Sequence, residues 1–313
     1  MKTAQIFPGQ GAQHVGMGKD LYEAHATARR VFEEAEAISG LPLRALCFEG
    51  PKERLDRTDV AQPAMFTVSA AILAVMHETL SPSSPAVSPA ATAGLSLGEY
   101  TALYAAEAMD FETTLKLVTR RGAAMQEAAQ ASEGGMVALI GADEAQAQAL
   151  CQAVAEGEVL VAANFNCPGQ IVLSGAKGAC ARAAARAKEF GAGNAVVLDV
   201  AGAFHSEFMR PAADQLALAL EAATIVAPKV PVLANVDACP HEAAAIRARL
   251  LEQLVRPVRW GACLEALLAD GVERFYEVGA GKVLAGHMKR INRKVNVTGV
   301  NSQEAMAGLA LES

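Results

Sequence analysis

Short apolar runs alternate with amphipathic stretches along the whole chain. Residues 3–7 predict a strand that stops at Pro8-Gly9-Gln10-Gly11. A helix is expected from about Met17 and another over 28–38, with Thr27 as its N-cap. Gln62-Pro63 opens an apolar helix carrying Ala64, Phe66, Val68 and Ile72, with Pro63 in its first turn. Residues 80–89 hold three prolines and four serines, which predicts a surface loop. A strand over 90–93 then feeds Gly94-Leu95-Ser96-Leu97-Gly98 and a helix over 97–108, with a further helix over 110–128.

The pattern changes after residue 128. Strand 135–140, helix 143–155, strands 159–164 and 170–174, helix 179–190 and strand 195–200 follow in the order βαββαβ, the order of a ferredoxin-like module. Beyond it, helices over 211–222, 241–253 and 264–270 alternate with short strands over 230–234, 274–278 and 295–300. That alternation predicts an α/β layer on a mostly parallel sheet. The expected organisation is a discontinuous main domain, 1–128 plus 201–313, interrupted by a small domain over 129–200.

Composition narrows the function classes. Over 313 residues the chain is 52% hydrophobic and 19% charged, enough apolar material for a sizeable core. Its net charge of −7 argues against general nucleic-acid binding, so an anionic ligand must meet a local basic patch. The six cysteines are scattered with no C-x-x-C pair, which argues against a metal site or a disulfide framework. The opening residues lack the apolar core of a signal peptide, and no uninterrupted apolar run reaches the ~18–20 residues of a membrane span. The expectation is a soluble cytoplasmic protein with no membrane partner.

Gly94–Gly98 fits G-x-S-x-G between a predicted strand and a predicted helix. A tight turn there lifts the Ser96 Oγ off the backbone, and the helix N-terminus faces a developing oxyanion. The bland alternative is an ordinary glycine-rich turn. A serine nucleophile needs a base. Of the six histidines, His25 and His77 lie in helical runs and His241 at a loop or helix start, where packed or solvated side chains are the expected reading. His205 instead follows a predicted strand, placing it at the crevice of an open α/β sheet. It also comes after the serine in chain order, as in α/β-hydrolase-like sites. A triad acid between Ser96 and His205 has no clear candidate: Asp199 is near in sequence but would lie within the strand, and a backbone carbonyl could orient the imidazole instead. Arg120 and Arg121 sit on an amphipathic helix whose apolar stripe forces one of them inward. A buried arginine needs a carboxylate, supplied either by substrate or by an internal salt bridge.

Two other glycine motifs fail. A phosphate loop ending at Lys282 needs glycine at 276 and Ser or Thr at 283, where the chain has Tyr276 and Val283. A dinucleotide fingerprint from Gly9 needs glycine at 14, where the chain has His14.

Seven segments together carry a family resemblance: Phe7-Pro-Gly-Gln-Gly-Ala-Gln13, Gln62-Pro63-Ala64, Gly94-Leu-Ser-Leu-Gly-Glu-Tyr100, Arg121-Gly122, Asn164-Phe-Asn-Cys-Pro-Gly-Gln170, Ala203-Phe204-His205 and Glu277-Val-Gly-Ala-Gly-Lys-Val-Leu284. In order and spacing the chain resembles malonyl-CoA:acyl-carrier-protein transacylases, cousins of polyketide synthase acyltransferase domains. The resemblance implies an α/β-hydrolase-like core with a ferredoxin-like insert. It also implies that Ser96 carries a malonyl ester and that His205 serves as base and then acid. It gives the oxyanion hole to the N–H groups of Gln10 and Leu97, the malonyl carboxylate to Arg121 with support from Gln62, and the imidazole to the backbone carbonyl of Gln253. Asn164 and Asn166 would lie on the small-domain side of the cleft, near the pantetheine arm. The implied partners are acyl carrier protein and a coenzyme A thioester, with no metal and no resident cofactor. The chain departs from the family at Leu95, where a histidine is usual, which removes a polar group beside the serine. Ala203-Phe204 resembles the pattern of malonyl rather than methylmalonyl selection.

Three functions compete. An acyltransferase uses every residue above, whether its carrier protein serves fatty acid or polyketide synthesis. A serine hydrolase or thioesterase needs the elbow and His205 but has no use for Arg121. A non-enzymatic carrier-docking module would be expected to have lost Ser96, His205 or Arg121.

Overall fold

The computed structural model describes residues 1–312. The first part runs β1 (Thr3–Phe7), α1 (Lys19–Ala24), α2 (Ala26–Ser39), α3 (Leu43–Phe48), α4 (Lys52–Leu55), α5 (Thr58–Thr79), β2 (Ala91–Gly94), α6 (Leu97–Ala105) and α7 (Phe111–Gln130). The middle part is β3 (Gly134–Ile140), α8 (Glu144–Val154), β4 (Leu160–Cys167), β5 (Gln170–Ala176), α9 (Lys177–Arg186) and β6 (Asn194–Val197). The last part is α10 (Arg210–Ala222), β7 (Val232–Leu233), α11 (Ile246–Val255), α12 (Trp260–Ala269), β8 (Arg274–Val278), α13 (Val283–Ile291), β9 (Asn296–Val300) and α14 (Gln303–Glu312).

Five strands form a parallel sheet in the order β7-β2-β1-β8-β9. β1 is buried at every position, as a parallel strand covered on both faces must be. One face packs under α2, α5 and α7 around Phe7, Phe32, Phe66 and Leu117. The other packs against α12 and α13 around Ile6, Trp260, Phe275 and Leu284. Phe7 pairs with Gly94, so β1 and β2 end side by side and the loops after them meet over one crevice.

The second sheet is antiparallel, in the order β4-β5-β3-β6. Its period-2 alternation divides β3 between two cores. Val137 and Leu139 face α8 and α9 with Leu150 and Leu173, whereas Met136 and Ala138 join the main core. The small sheet is therefore anchored to the large unit by its back face.

Several elements differ from the sequence reading. α5 begins four residues before Gln62, because the side chain of Gln126 on α7 accepts the Thr58 N–H and caps the helix from another element. Pro63 consequently lies inside α5, past its first turn. This 22-residue helix is on average long and apolar enough to cross a membrane, although no uninterrupted apolar run within it approaches that length, and 89% of its apolar window is buried in the core. Thr27 does not cap α2, which starts at Ala26 after an extended His25. α6 stops at Ala105 rather than 108, since Glu107 adopts φ 57° and the Ala108 N–H turns back to Leu103 O. The loop at 80–89 is not wholly at the surface. It buries Leu80, Ala86 and Val87, and Thr3 and Gln5 of β1 donate side-chain hydrogen bonds to Pro85 O and Ala86 O. α3, α4 and α14 carry too short or too mixed a pattern to be read as helices from periodicity alone.

Candidate active site

Ser96 sits at the turn from β2 into α6 with φ 51° and ψ −102°, a conformation costly for any residue with a Cβ. Two glycines make that turn possible by close approach. A Cβ on Gly94 would lie 1.9 Å from Gly98 C, and one on Gly98 would lie 2.2 Å from Phe7 O. Gly9 presses on the same turn, since its Cβ would meet Leu95 O at 2.4 Å. The Pro8-Gly9-Gln10 bend after β1 is thereby held against the elbow. Leu97 is the first residue of α6, so its N–H has no acceptor inside the helix and faces outward with the positive end of the dipole. The Gln10 side chain donates to Thr58 Oγ1 at 3.2 Å.

Asn235, in the loop after β7, braces the elbow: its Oδ1 accepts the Ser96 N–H at 2.7 Å and its Nδ2 donates to Gly94 O at 2.8 Å. No motif in the sequence signals this residue. Leu95 is half-buried against the apolar cluster of Ile6, Trp260 and Leu284 and offers the serine no polar neighbour.

His205 reaches Ser96 Oγ through Nε2 at 2.9 Å, and its Nδ1 donates to Gln253 O at 2.6 Å. That backbone bond fixes the tautomer that leaves Nε2 free to accept the serine proton. His205 does not follow a strand directly. β6 ends at Val197 in the small sheet, and the imidazole is presented from an irregular segment in which His205 has φ 56° and Ser206 Oγ ties back to Ala203 O. Its packing is dictated by glycine, because a Cβ on Gly134 would clash with Ala203 and one on Gly202 with Ala129. Burial drives the His205 pKa down to about 4, the charge of Arg121 pushes the same way, and the bond to Gln253 opposes them. The imidazole is therefore a neutral base at pH 7.

Arg121 faces inward and is 1% exposed. Its Nη1 donates to Gln62 Oε1 at 2.8 Å, and its Nη2 donates to Gln253 Oε1 at 2.8 Å and Ser96 Oγ at 3.0 Å. The guanidinium also lies over the Tyr100 ring, 5.4 Å from its centroid. Among the described residues no carboxylate forms an ion pair with Arg121, and its Nε has no partner. Burial lowers its pKa, as expected of a cation held by neutral oxygens.

The structure thus brings Ser96, His205, Arg121, Gln62 and Gln253 into one hydrogen-bonded cluster, with Gln10 and Leu97 beside the elbow. It does not bond Asn164 or Asn166 to that cluster. They lie on β4 where it runs beside Val258, with Phe165 N–H donating to Val258 O, and Asn166 Oδ1 is buried without a partner.

The acyl transferase domain family matches residues 5–308 of this chain. A Bacillus subtilis malonyl CoA-acyl carrier protein transacylase is 44% identical over 307 residues, covering 97% of this chain and 95% of that one. The chain belongs to the malonyl-CoA:acyl-carrier-protein transacylase family. Its fold superposes on the transacylase structure from Coxiella burnetii with a TM-score of 0.94 at 40% identity, covering 99% of this chain and 97% of that one. It matches equally well, with a TM-score of 0.94 at 38% identity and full coverage of both chains, a malonyl-transacylase solved in complex with its type II polyketide acyl-carrier protein. Glu99, Asn235 and His241 are also buried beside this cluster; Glu99 lies within the Gly94–Tyr100 segment and His241 reads as packed or solvated, but neither has a role legible in the sequence.

Proposed function

We propose that the chain transfers malonyl from malonyl-CoA to the phosphopantetheine thiol of acyl carrier protein through an ester on Ser96. In the first half-reaction His205 Nε2 takes the Ser96 proton as Oγ attacks the thioester carbonyl. The oxyanion is held by the N–H groups of Leu97 and Gln10, and His205 returns the proton to the departing CoA sulfur. In the second half the carrier thiol gives its proton to His205, attacks the Ser96 ester and leaves as the malonyl thioester, restoring the serine hydroxyl. Gln253 O replaces the missing triad acid by holding Nδ1–H. The reaction as written uses no resident cofactor and no metal; malonyl-CoA is a substrate. Both substrates are water-borne, which fits a cytoplasmic setting.

Arg121 carries this reading. A buried guanidinium held only by neutral oxygens, 3.0 Å from the nucleophile, is a counterion awaiting an anion. The free carboxylate of a malonyl group is an acyl substituent that supplies one. Gln62 holds the Nη1 edge of the guanidinium, and Asn164 and Asn166 are assigned to the pantetheine side of the cleft. A thioesterase has no evident use for a buried cation at that place.

In fold terms we read the parallel sheet with its strained elbow as α/β-hydrolase-like, formed by 1–128 plus 201–313. The antiparallel unit over 129–200 is read as a ferredoxin-like insert, a reading supported by its strand order. Intact-mass analysis after malonyl-CoA addition tests the function. The expected result is a malonyl adduct on Ser96 that only carrier protein discharges, whereas rapid discharge by water would favour a hydrolase.

A further inference from the structure

Behind the elbow lies a buried ionisable pair that the transfer chemistry does not use. His241 Nε2 is 2.8 Å from Glu99 Oε1, and both side chains are 0% exposed. A carboxylate has no proton to give, so Nε2 must be the donor. His241 is fixed through its backbone, since its main-chain N–H bonds Val232 O and the neighbouring Pro240 bridges Leu233, while its ring Nδ1 has no partner. The other Glu99 oxygen, Oε2, accepts Gln253 Nε2 at 2.7 Å and the Asn235 N–H at 3.0 Å.

These bonds decide which way the Gln253 amide points. Its Nε2 spends one hydrogen on Glu99 and the other on Ser96 O at 3.0 Å. Only Oε1 is then left for Arg121, which it meets at 2.8 Å. Turning the amide over would aim Nε2 at a guanidinium and Oε1 at a carboxylate. The orientation that holds Arg121 is thus inherited from Glu99, whose second oxygen is satisfied by His241.

We propose that His241 is a positioning residue for recognition of the malonyl carboxylate, acting through Glu99 and Gln253 on Arg121. This rests on the malonyl-transfer reading above. Without the His241 donor, Glu99 Oε1 is a buried carboxylate oxygen lacking a partner. The donors already on this carboxylate are Gln253 Nε2 and the Asn235 main-chain N–H. The second is fixed in the backbone, so the mobile amide is the one that shifts, and drawing Gln253 Nε2 toward the vacated oxygen pulls Gln253 Oε1 away from Arg121. The bond from His205 to Gln253 is made by the main chain of α11, which the side-chain movement leaves in place. The loss therefore falls on a charged acyl group and spares the serine–histidine chemistry.

The test uses the purified full-length chain and rapid-quench intact-mass measurement of loading from malonyl-CoA and from acetyl-CoA. His241→Leu is expected to lower malonyl kcat/KM about tenfold, mainly through KM, with acetyl loading changed less than about twofold. His241→Gln, whose amide nitrogen reaches toward the Nε2 position, is expected to recover most of the malonyl rate. Where His241→Leu does not fold, His241→Asn is polar but too short to reach Glu99 and carries the same expectation. Equal losses for both acyl groups, or unchanged malonyl loading, would overturn the positioning role. A parent protein that loads no malonyl would instead overturn the transfer reading.

Discussion

Arg121 Nη2 lies 3.0 Å from Ser96 Oγ, so the cation proposed to read the substrate's charge also touches the nucleophile. Recognition and reaction are then coupled by geometry, since a carboxylate seated on Arg121 places the acyl carbon next to Oγ. Arg121→Ala is expected to lower malonyl kcat/KM by about 10²-fold or more, because the carboxylate would lose its only buried counterion. Acetyl loading should fall far less. Comparing the two substrates checks the assignment, and equal falls would make Arg121 a structural residue.

Ser96→Ala is expected to abolish the covalent adduct, and His205→Ala to slow loading by ~10²–10⁴. The pH profile gives a sharper check on the base. With His205 lowered to about 4, kcat/KM for loading should stay flat from neutrality down to about pH 5 and fall only near pH 4. An ordinary histidine would lose activity near 6.5. Arg121's charge is one cause of the lowering, so in Arg121→Ala the acid limb should move upward. Acetyl-CoA is the substrate for that profile, because it has no carboxylate of its own. An acid limb near 6.5 in the parent protein would mean that the imidazole is solvated.

Much of this site was legible in the sequence because it is built from tight backbone. Gly94, Gly98 and Gly9 are needed where one chain crosses another within van der Waals contact, and such glycines leave motifs. β1 was readable to the residue, and the βαββαβ order of the middle segment was readable from its alternation. What escaped notice depends on distant partners. Nothing near Thr58 announces that Gln126 caps it. Glu99 stands on α6 inside the Gly94–Tyr100 motif, but its role depends on Asn235 and His241, which the segment between β7 and α11 brings behind the elbow. His205 looked like a strand-end residue because an apolar run precedes it, yet β6 stops at Val197, Leu198 keeps only a main-chain bond to Met136 O, and Leu198 and Val200 are half-buried against the main core.

A second histidine governs acid stability. His287 on α13 is 6% exposed, and burial, aided by the charge of Arg290, lowers its pKa to about 4. An unfolded histidine takes up its proton near 6.5, so between about pH 6.5 and 4 the unfolded state binds more protons than the folded one. The stabilisation is therefore complete above that window and is lost as pH falls through it. Between pH 7 and pH 5 a histidine shifted this far costs about 1–2 kcal/mol. Urea midpoints at the two pH values should show a smaller loss for His287→Leu than for the parent. An unchanged pH dependence would mean that His287 is protonated in the folded state.

The last prediction concerns carrier-protein docking, where this chain's net charge of −7 works against encounter with any acidic partner. A local basic surface is needed, and the sequence offers two: Arg182, Arg186 and Lys188 in the helix expected over 179–190, and Lys289, Arg290, Arg293 and Lys294 in what reads as a helical stretch. The patch on the small unit is largely neutralised, since Arg182 pairs with Glu156 and Glu158 and Arg186 pairs with Glu189. The other is Lys289, Arg290, Arg293 and Lys294, which form no ion pair among the described residues. Helical i, i+4 spacing does not unite them, because α13 ends at Ile291 and Asn292 is extended. Lys289, Arg290 and Arg293 nevertheless line one cavity of about 400 Å³ together with Gly286. Arg290 also reaches toward Gly169 at the β4–β5 turn, which places the patch where the two sheets meet. Exposed charges of this kind act mainly on association rate and fade with salt, since screening sets in beyond ~8–10 Å. Reversing Lys289 and Arg293 to Glu should raise KM for carrier protein at low salt, shrink that difference at high salt, and leave malonyl loading from CoA nearly unchanged. A carrier-protein KM equal to the parent's would transfer the docking surface to the small unit, with Lys188 beside Arg182 and Arg186 as the next residues to reverse.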